Sequence, residues 1–220
     1  MPQPLHAPIS YLITSGATDA RTTPAGPDFA RLLALVRAAA AARVTLVQLR
    51  EQHLRPRVIF ELTLRAAALV RGTETRLLVN DRADIARAAG ADGVHLTTRS
   101  LPAPTVRRAF GPDFLVGVST HTLAEAQAAR AGGADFIVFG PVFDTPSKRV
   151  YGPPVGLAQL RAVAAALAPF PVVALGGITR ANMASALAAG AHGVAAIRLF
   201  ADPPALAPAV AALQEVHASL

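Results

Sequence analysis

Short apolar segments rich in Val and Ile alternate along the chain with longer segments in which Ala, Leu and Arg recur at helical spacing. The apolar segments are continuous rather than alternating with polar residues, which is typical of parallel strands that are buried on both faces. Predicted strands cover residues 9–14, 44–49, 77–80, 93–96, 115–119, 136–139, 172–175 and 194–197. Predicted helices follow at residues 28–42, 57–71, 84–89, 103–110, 123–131, 157–168, 180–189 and 205–218.

Eight strand-then-helix units predict an α/β fold, a single (β/α)8 TIM barrel that spans residues 1–220 with its core at about 9–200. The alternative is an open doubly wound sheet, but no G-x-G-x-x-G follows the first predicted strand. Related Gly-Ala sequences recur at 89–94, 132–136 and 189–194, where each ends a helix and leads into a strand. Glycine supplies the left-handed conformation of a helix C-terminus there, and the repetition favours the barrel.

Composition narrows the class of protein. With 52% apolar and 16% charged residues among 220, the chain has the reverse of the balance found in disordered chains. It has no cysteine, which excludes disulfides, thiolate zinc sites and cysteine nucleophiles. The chain contains no run of about 18 apolar residues, so no membrane span is expected. Its N-terminal residues also lack the apolar region of a secretory signal. We therefore expect a cytoplasmic protein.

The formal charge of +7 comes from basic residues that are scattered along the chain. Aromatic residues make up only 5% and Trp is absent, whereas a nucleic-acid surface usually joins a basic stripe to aromatic partners. We therefore expect a small anionic ligand such as a phosphate and no nucleic acid. Lys148 is the single lysine and lies in the Pro- and Gly-rich segment 140–156, which predicts a functional loop. The lysine is explained equally well by a site that requires a compact ammonium group and by chance retention.

The active site of a TIM barrel lies where its strands end. Polar side chains converge at these ends, although the strands themselves are nearly all apolar. They are Thr14, Gln48, Arg50, Glu51, Asn80, Asp81, Arg82, His95, Ser119 and His121, with Arg198 after the last strand. Gly176 and Gly177 follow the seventh strand, where bare backbone N–H groups can hold a phosphate together with the end of the eighth strand. The alternative for this pair is a tight turn that needs glycine, and Thr179 would cap the next helix.

For three of these residues a chemical role competes with a structural one. His121 can act as a general acid or base, or its ring can bind backbone at the start of the next helix, where Thr122 with Glu125 predicts a cap. Asp81 can bind Mg²⁺ beside a phosphate, or it can cap the helix after the third strand. A single carboxylate makes a poor magnesium site. His95 lies within an apolar run and is predicted to be a structural histidine.

Over about residues 11–200 the sequence resembles the thiamine phosphate synthase superfamily. The segments that carry the resemblance are 47–51 (VQLRE), 78–84 (LVNDRAD), 90–96 (GADGVHL), 117–122 (GVSTHT), 140–148 (GPVFDTPSK) and 174–178 (ALGGI). The resemblance implies a (β/α)8 barrel that acts on thiamine precursors. Within this superfamily, synthases join a pyrimidine diphosphate to a thiazole phosphate with Mg²⁺ and release diphosphate. TenI-type tautomerases instead convert a non-aromatic thiazole carboxylate phosphate into its aromatic tautomer.

Two positions separate these branches. Synthases usually read R-E-K after the second strand and V-H-L-G-Q-x-D after the fourth, but here Gln52 replaces the Lys and Ser100 replaces the Asp. The changes remove a diphosphate-binding cation and a magnesium carboxylate, which favours the tautomerase branch. Asp81 and Lys148 are synthase-like and support the synthase as the first alternative. A non-catalytic regulator that binds thiazole phosphate or thiamine phosphate is a further alternative.

The favoured prediction is therefore a thiazole tautomerase, an isomerase in which His121 moves the protons and Arg50 pairs with the substrate carboxylate. The resemblance implies that Gln48, Arg50, Asn80, Ser119, Thr145 and Lys148 bind the substrate, and that Gly176, Gly177, Ile197 and Arg198 bind its phosphate. No metal and no cofactor are expected, whereas a synthase would hold Mg²⁺ at Asp81. The expected partner is a small thiazole phosphate, without nucleic acid or membrane, and the sequence is compatible with a homo-oligomer.

Overall fold

In the computed structural model, which describes residues 4–145 and 153–220, eight parallel strands close into a barrel and confirm the predicted (β/α)8 fold. The strands are β1 (Ile9–Ile13), β2 (Leu46–Leu49), β3 (Arg76–Asn80), β4 (Gly93–Leu96), β5 (Leu115–Thr120), β6 (Phe136–Phe139), β7 (Val172–Leu175) and β8 (Gly193–Ala196). The helices between and after them are α1 (Pro27–Ala41), α2 (Pro56–Val70), α3 (Ala83–Ala88), α4 (Ala103–Phe110), α5 (Leu123–Ala131), α6 (Gly156–Leu167), α7 (Met183–Ala188) and α8 (Pro203–Ala218). Within the described ranges, no helix is long and apolar enough to cross a membrane.

The elements lie where the sequence predicts them, with shifts of a few residues at their ends. Strand β2 begins two residues later than expected and α7 begins three residues later. The predicted Thr179 cap of α7 is wrong, because Asn182 precedes this helix and its side chain accepts the Thr179 N–H at 2.8 Å. Asn182 also donates to the Gly177 carbonyl at 2.9 Å, so it holds the turn after β7. Thr122 is a cap as predicted, since its hydroxyl accepts the Glu125 N–H at 3.2 Å.

Side chains fill both sides of the sheet. The apolar cluster inside the barrel consists of Ile9, Tyr11, Ile13, Leu46, Leu78, Leu115, Phe136, Val138, Val173 and Ala195. A larger cluster lies between the outer face of the sheet and the helices. Burial on both faces accounts for the continuous apolar runs in the sequence. Because the interior is filled to this level, a ligand can enter only at the C-terminal ends of the strands.

The repeated Gly-Ala sequence does more than end a helix. The glycines at 90, 133 and 190 have φ of 75°, 86° and 92°, which confirms the predicted left-handed helix ends. The residues two positions later are Asp92, Asp135 and His192. Each of their side chains accepts a backbone N–H near the start of the preceding strand, at 2.7, 2.7 and 3.3 Å. The motif therefore ends a helix and also satisfies a donor of the neighbouring strand.

Arg107 in α4 connects this motif to two loops at the N-terminal end of the barrel. Its guanidinium donates to the Asp135 carboxylate at 2.7 Å and to the carbonyl oxygens of Gly111, Phe114 and Gly133 at 2.9, 2.8 and 2.8 Å. The side chains of Arg107 and Asp135 are only 22% and 26% exposed. Charged hydrogen bonds that are partly shielded from water contribute more to stability than exposed ion pairs. We therefore expect the guanidinium to stabilise the barrel.

Replacing Arg107 with Ala should lower the free energy of unfolding by about 2–3 kcal/mol, because several buried carbonyl groups and a carboxylate lose their donor. Urea denaturation followed by circular dichroism measures this change. Arg108→Ala is the matched control, since Arg108 is exposed on the same helix and should change stability by less than about 0.5 kcal/mol. Equal effects of the two substitutions would contradict the assignment.

Candidate active site

Four polar side chains from neighbouring strands lie at the C-terminal end of the barrel interior. They belong to Gln48 on β2, Asn80 on β3, His95 on β4 and Ser119 on β5. The Gln48 amide N–H donates to the Asn80 side-chain oxygen at 3.0 Å. Gln48 is only 2% exposed, and its own amide oxygen has no hydrogen-bond partner among the described residues. A buried acceptor without a donor is a position at which a ligand donor would be stabilised.

His95 is bonded through both ring nitrogens. Its Nδ1 lies 3.1 Å from the Tyr11 hydroxyl and its Nε2 lies 2.8 Å from the Ser119 hydroxyl. Burial lowers the pKa of His95 from 6.5 to about 3 and raises the pKa of Tyr11. His95 is buried and hydrogen-bonded, as predicted for a structural histidine, yet it contacts the predicted substrate-binding residue Ser119. Sequence reasoning missed Tyr11, because a tyrosine in an apolar strand reads as a core residue.

The His121 ring is exposed and lies above the end of β5. Its Nδ1 is 2.5 Å from the Gly140 carbonyl oxygen. A carbonyl only accepts, so Nδ1 carries a proton and donates it, which leaves Nε2 away from this contact. The His121 backbone N–H donates to the Glu125 carboxylate at 2.6 Å. The ring therefore joins the β5–α5 turn to the start of the segment after β6, instead of binding backbone at the start of α5.

Glu51, directly after β2, is a carboxylate whose acceptors are already used. It is 5% exposed and accepts the N–H groups of Gly16 and Thr18 at 3.2 and 3.3 Å and the Thr18 hydroxyl at 2.5 Å. It thereby anchors the β1–α1 loop across the top of the barrel. Arg50 lies beside this loop: its backbone N–H donates to Thr14 at 2.8 Å and its guanidinium lies against Gly16. No carboxylate partner of Arg50 is found within the described residues.

Gly176 and Gly177 form a left-handed turn after β7, with φ of 99° and 64°. A Cβ at Gly176 would lie 2.5 Å from Pro141 Cα, and one at Gly177 would lie 2.7 Å from the Asp144 carbonyl oxygen. The Phe143 N–H donates to the Gly176 carbonyl at 3.0 Å. Packing of residues 141–144 against this turn is therefore sufficient to require both glycines, and phosphate binding there stays a prediction.

The remaining predicted phosphate residues lie after β8. Ile197 is partly buried and Arg198 is exposed, and a 3₁₀ turn (Arg198–Phe200) begins there. Thr145 is partly buried in the described part of the loop that follows β6. Lys148 and its neighbours at 146–152 lie outside the described residues. Whether Lys148 contacts a substrate thus stays a prediction of the sequence.

A cavity of about 320 Å³ lies beside the ends of β2 and β3. Its polar lining includes Gln52, Asn80, Asp81 and Arg82, and its apolar lining includes Leu49 and Val79. Asp81 has φ of 61° and its N–H donates to the His95 carbonyl at 2.9 Å. Asp81 does not cap α3, which has no side-chain cap. Arg82 makes a paired contact with Asp84 at 2.9 and 2.6 Å.

The second position expected to carry a magnesium ligand has a local structural role instead. The Ser100 hydroxyl accepts the Thr97 N–H at 2.8 Å and closes the turn after β4. Among residues 4–145 and 153–220, no three His, Asp or Glu side chains are grouped closely enough to hold a metal ion. The Asp81 carboxylate makes no hydrogen bond or ion pair with the described part of the chain. Asp81 is therefore a carboxylate open to a ligand at the cavity.

Fold and site together define a TIM-barrel protein with a small polar pocket at the C-terminal ends of its strands. The chain belongs to the thiamine monophosphate synthase family, whose model matches residues 17–200. A Geobacter sulfurreducens protein named "Putative thiamine-phosphate synthase" is 50% identical over 194 residues, which cover 88% of this chain and 87% of that protein. A Moorella thermoacetica thiamine-phosphate synthase is 43% identical over 184 residues, 84% and 87% of the two chains.

The solved structure of thiamine phosphate pyrophosphorylase from Pyrococcus furiosus superposes with a TM-score of 0.78 at 27% identity. The superposition covers 94% of this chain and 96% of the Pyrococcus furiosus chain. The predicted superfamily is thus confirmed, but the prediction of a thiazole tautomerase is wrong. The relatives at 43–50% identity carry the name of the synthase, so Gln52 and Ser100 do not place the chain in the tautomerase branch.

The buried His95 predicts a loss of stability in mild acid. Its folded pKa of about 3 lies below the unfolded value of about 6.5, so the unfolded state binds the proton first as the pH falls. Stability from this group is complete above pH ~6.5 and falls by about 1.4 kcal/mol per pH unit below it. Between about pH 7 and pH 5 the wild type should therefore lose about 2 kcal/mol more than His95→Gln, measured by urea denaturation.

Carboxylates common to both proteins contribute equally and cancel in this comparison. Parallel pH dependences for the wild type and His95→Gln would show that the ring is protonated in the folded protein as readily as in the unfolded chain.

Proposed function

We propose that this protein is a thiamine-phosphate synthase, a transferase that joins a pyrimidine diphosphate to a thiazole phosphate and releases diphosphate. The observation that carries the proposal is the similarity to synthase-named relatives over 84–88% of this chain and 87% of each relative. In this reaction the bond between pyrimidine and diphosphate breaks and the thiazole takes the place of the leaving diphosphate. The chain must therefore bind two anionic substrates at the C-terminal ends of its strands, which form the mouth of the barrel.

The polar side chains at the mouth support a pyrimidine site. The Gln48 amide oxygen is a buried acceptor without a protein donor, and the amino group of the pyrimidine would supply one. Asn80 fixes the Gln48 amide through its 3.0 Å hydrogen bond. Packing limits how this acceptor can turn, so it is oriented before the substrate binds. Arg50, whose guanidinium has no carboxylate partner in the described chain, would face the negative charge of the substrates.

The thiazole phosphate would bind at Gly176 and Gly177 together with Ile197 and Arg198. The N–H groups of the two glycines would donate to phosphate oxygens, and the 3₁₀ turn (Arg198–Phe200) follows β8, the strand that pairs with β7. His121 is assigned to the loop rather than to proton transfer, because its Nδ1–H holds the Gly140 carbonyl. Thr145 and Lys148 stay proposed substrate contacts from the same loop.

Mg²⁺ would be held by Asp81, with diphosphate oxygens and water completing its coordination. The residues fit an ion of this kind, because the Asp81 carboxylate lines the cavity and has no hydrogen bond or ion pair with the described part of the chain, although its charge acts on Arg82. They do not fit a metal held by protein side chains alone, since Ser100 closes a turn where a second carboxylate was expected. When bound, the ion would offset the negative charge of the leaving diphosphate.

Purified protein mixed with both substrates and Mg²⁺ should release thiamine phosphate and diphosphate in equal amounts. Gln48→Ala should lower kcat/KM about tenfold, the effect of losing one buried hydrogen bond to substrate. Gln127→Ala, an exposed change on α5, is the matched control and should keep wild-type kinetics. Binding of thiamine phosphate without any turnover would contradict the proposal and identify a regulator.

Metal binding should depend on diphosphate. In titration calorimetry, Mg²⁺ alone should give no saturable binding at micromolar protein, and binding should appear when inorganic diphosphate is present. Asp81→Asn should abolish it, and Glu215→Gln on α8 is the control. Ser100→Asp should strengthen it about fivefold, because Asp can still accept the Thr97 N–H and restores a carboxylate where synthases usually have one.

Tight Mg²⁺ binding to the free protein, or binding that survives Asp81→Asn, would place the metal ligands elsewhere.

A further inference from the structure

A hydrogen-bonded chain of three side chains runs from the barrel interior to its mouth. It begins at Tyr11 on β1, passes through both nitrogens of His95 on β4 and ends at Ser119 on β5, with contacts of 3.1 and 2.8 Å. Tyr11 is 0% exposed and His95 is 2% exposed, whereas Ser119 is partly exposed. Ser119 is therefore the member of this hydrogen-bonded series that a substrate can contact.

The hydrogens of this chain can be assigned from its surroundings. The Tyr11 ring packs edge-on against Phe136 at 5.8 Å, inside the apolar cluster of the barrel. Among the described residues, His95 Nδ1 is the hydrogen-bond partner of the Tyr11 hydroxyl. If Nδ1 carried the proton, Tyr11 would accept it and leave its own hydroxyl hydrogen buried without an acceptor, which costs the full desolvation of that group. Donation from Tyr11 to Nδ1 leaves no hydrogen unpaired.

A neutral imidazole carries one proton, so an unprotonated Nδ1 places that proton on Nε2. The Nε2–H then donates to the Ser119 oxygen, and the Ser119 hydrogen must point elsewhere. Burial keeps the ring neutral at physiological pH, since it lowers the pKa of His95 to about 3. The direction of these hydrogen bonds is thus fixed near neutral pH.

We propose that Tyr11 and His95 are positioning residues that make Ser119 a fixed hydrogen-bond donor at the mouth of the barrel. The ligand atom is an acceptor that carries no hydrogen, such as an ionised oxygen of the diphosphate or phosphate of the substrates. This inference rests on the proposed synthase function for the identity of the ligand. Without Tyr11 the His95 proton could move to Nδ1, and Ser119 could then donate inward to Nε2; without His95 the Ser119 hydroxyl would rotate freely. In either case the contact with the ligand would be weakened.

The assigned tautomer is tested by nitrogen-15 NMR of protein labelled at histidine. The His95 signals are identified by their absence in His95→Gln. At pH 7 the wild type should show a directly bonded proton on Nε2 and an unprotonated Nδ1. Tyr11→Phe should give a mixture of the two tautomers, because it removes the donor to Nδ1. A proton on Nδ1 in the wild type would overturn the proposal.

The effect on the ligand is tested by a double-mutant cycle of Tyr11→Phe and Ser119→Ala. His95 connects these two residues, so any coupling between them passes through its ring. Affinities for inorganic diphosphate and for thiamine phosphate are measured by calorimetry, and kcat/KM is measured for the synthase reaction. Each single substitution should weaken the affected ligand about three- to tenfold. Tyr11→Phe should have no further effect in the Ser119→Ala protein, since its effect passes through that hydroxyl.

Thr75→Val is the matched control, because Thr75 also has a buried hydroxyl, which donates to the Val44 carbonyl at 2.7 Å. Thr75 directly precedes β3, at the end of the barrel opposite to the active site. It should lower stability and leave both affinities unchanged. Additive effects of Tyr11→Phe and Ser119→Ala would overturn the proposal and make Tyr11 a purely structural residue. A protein that shows the assigned tautomer and the non-additive cycle in ligand affinity, but no turnover, would contradict the synthase function and leave the proposal standing.

Discussion

Hydrogen bonds between β8 and β1 close the sheet, and the position of every functional group depends on this closure. Ile9 pairs with Gly193, where a Cβ would lie 2.0 Å from the Ile9 carbonyl oxygen, so only glycine lets the strands meet at this spacing. A closed sheet has no edge strand, and an eight-stranded barrel is just wide enough for side chains to fill. Tyr11 and Phe136 occupy that interior. Polar chemistry is therefore confined to the C-terminal ends of the strands.

Closure also places any polar group below the mouth in a dry interior, where unpaired donors and acceptors are costly. This cost separates structural polar residues from open ones at the same end of the barrel. Both oxygens of Glu51 are engaged by the β1–α1 loop, so its place after a strand does not make it reactive. The Gln48 amide oxygen and the Asp81 carboxylate lack such partners within the described chain. A bound ligand would supply the missing hydrogen-bond donor or cation for these two groups.

The sequence was sufficient to predict the barrel because burial on both faces leaves continuous apolar runs, and because the repeated Gly-Ala sequence marks helix ends. It also located the polar residues of the mouth, since they interrupt those runs where strands end. The partner of His95 could not be predicted: Tyr11 is 84 residues away and lies in a largely apolar strand that is buried along its whole length. Asn182 was missed for a related reason, since spacing favoured Thr179 and only the folded turn shows which side chain accepts.

The wrong choice between tautomerase and synthase came from taking Gln52 and Ser100 together as the loss of diphosphate and magnesium binding, without considering that the two changes carry opposite charge. Relative to the synthase pattern, Gln52 removes one positive charge and Ser100 removes one negative charge, so the two changes together leave the net charge of the mouth unchanged. Diphosphate and Mg²⁺ carry opposite charge, so a bound ion would lower the charge that the protein itself must offset. With neither the lysine nor the second carboxylate present, a diphosphate and a Mg²⁺ ion at this mouth would depend more on their attraction for each other and on Asp81 and Arg50. Loss of the lysine alone would make the mouth one charge more negative and loss of the carboxylate alone one charge more positive, whereas loss of both leaves its net charge unchanged. The two residues taken together therefore do not argue against a synthase.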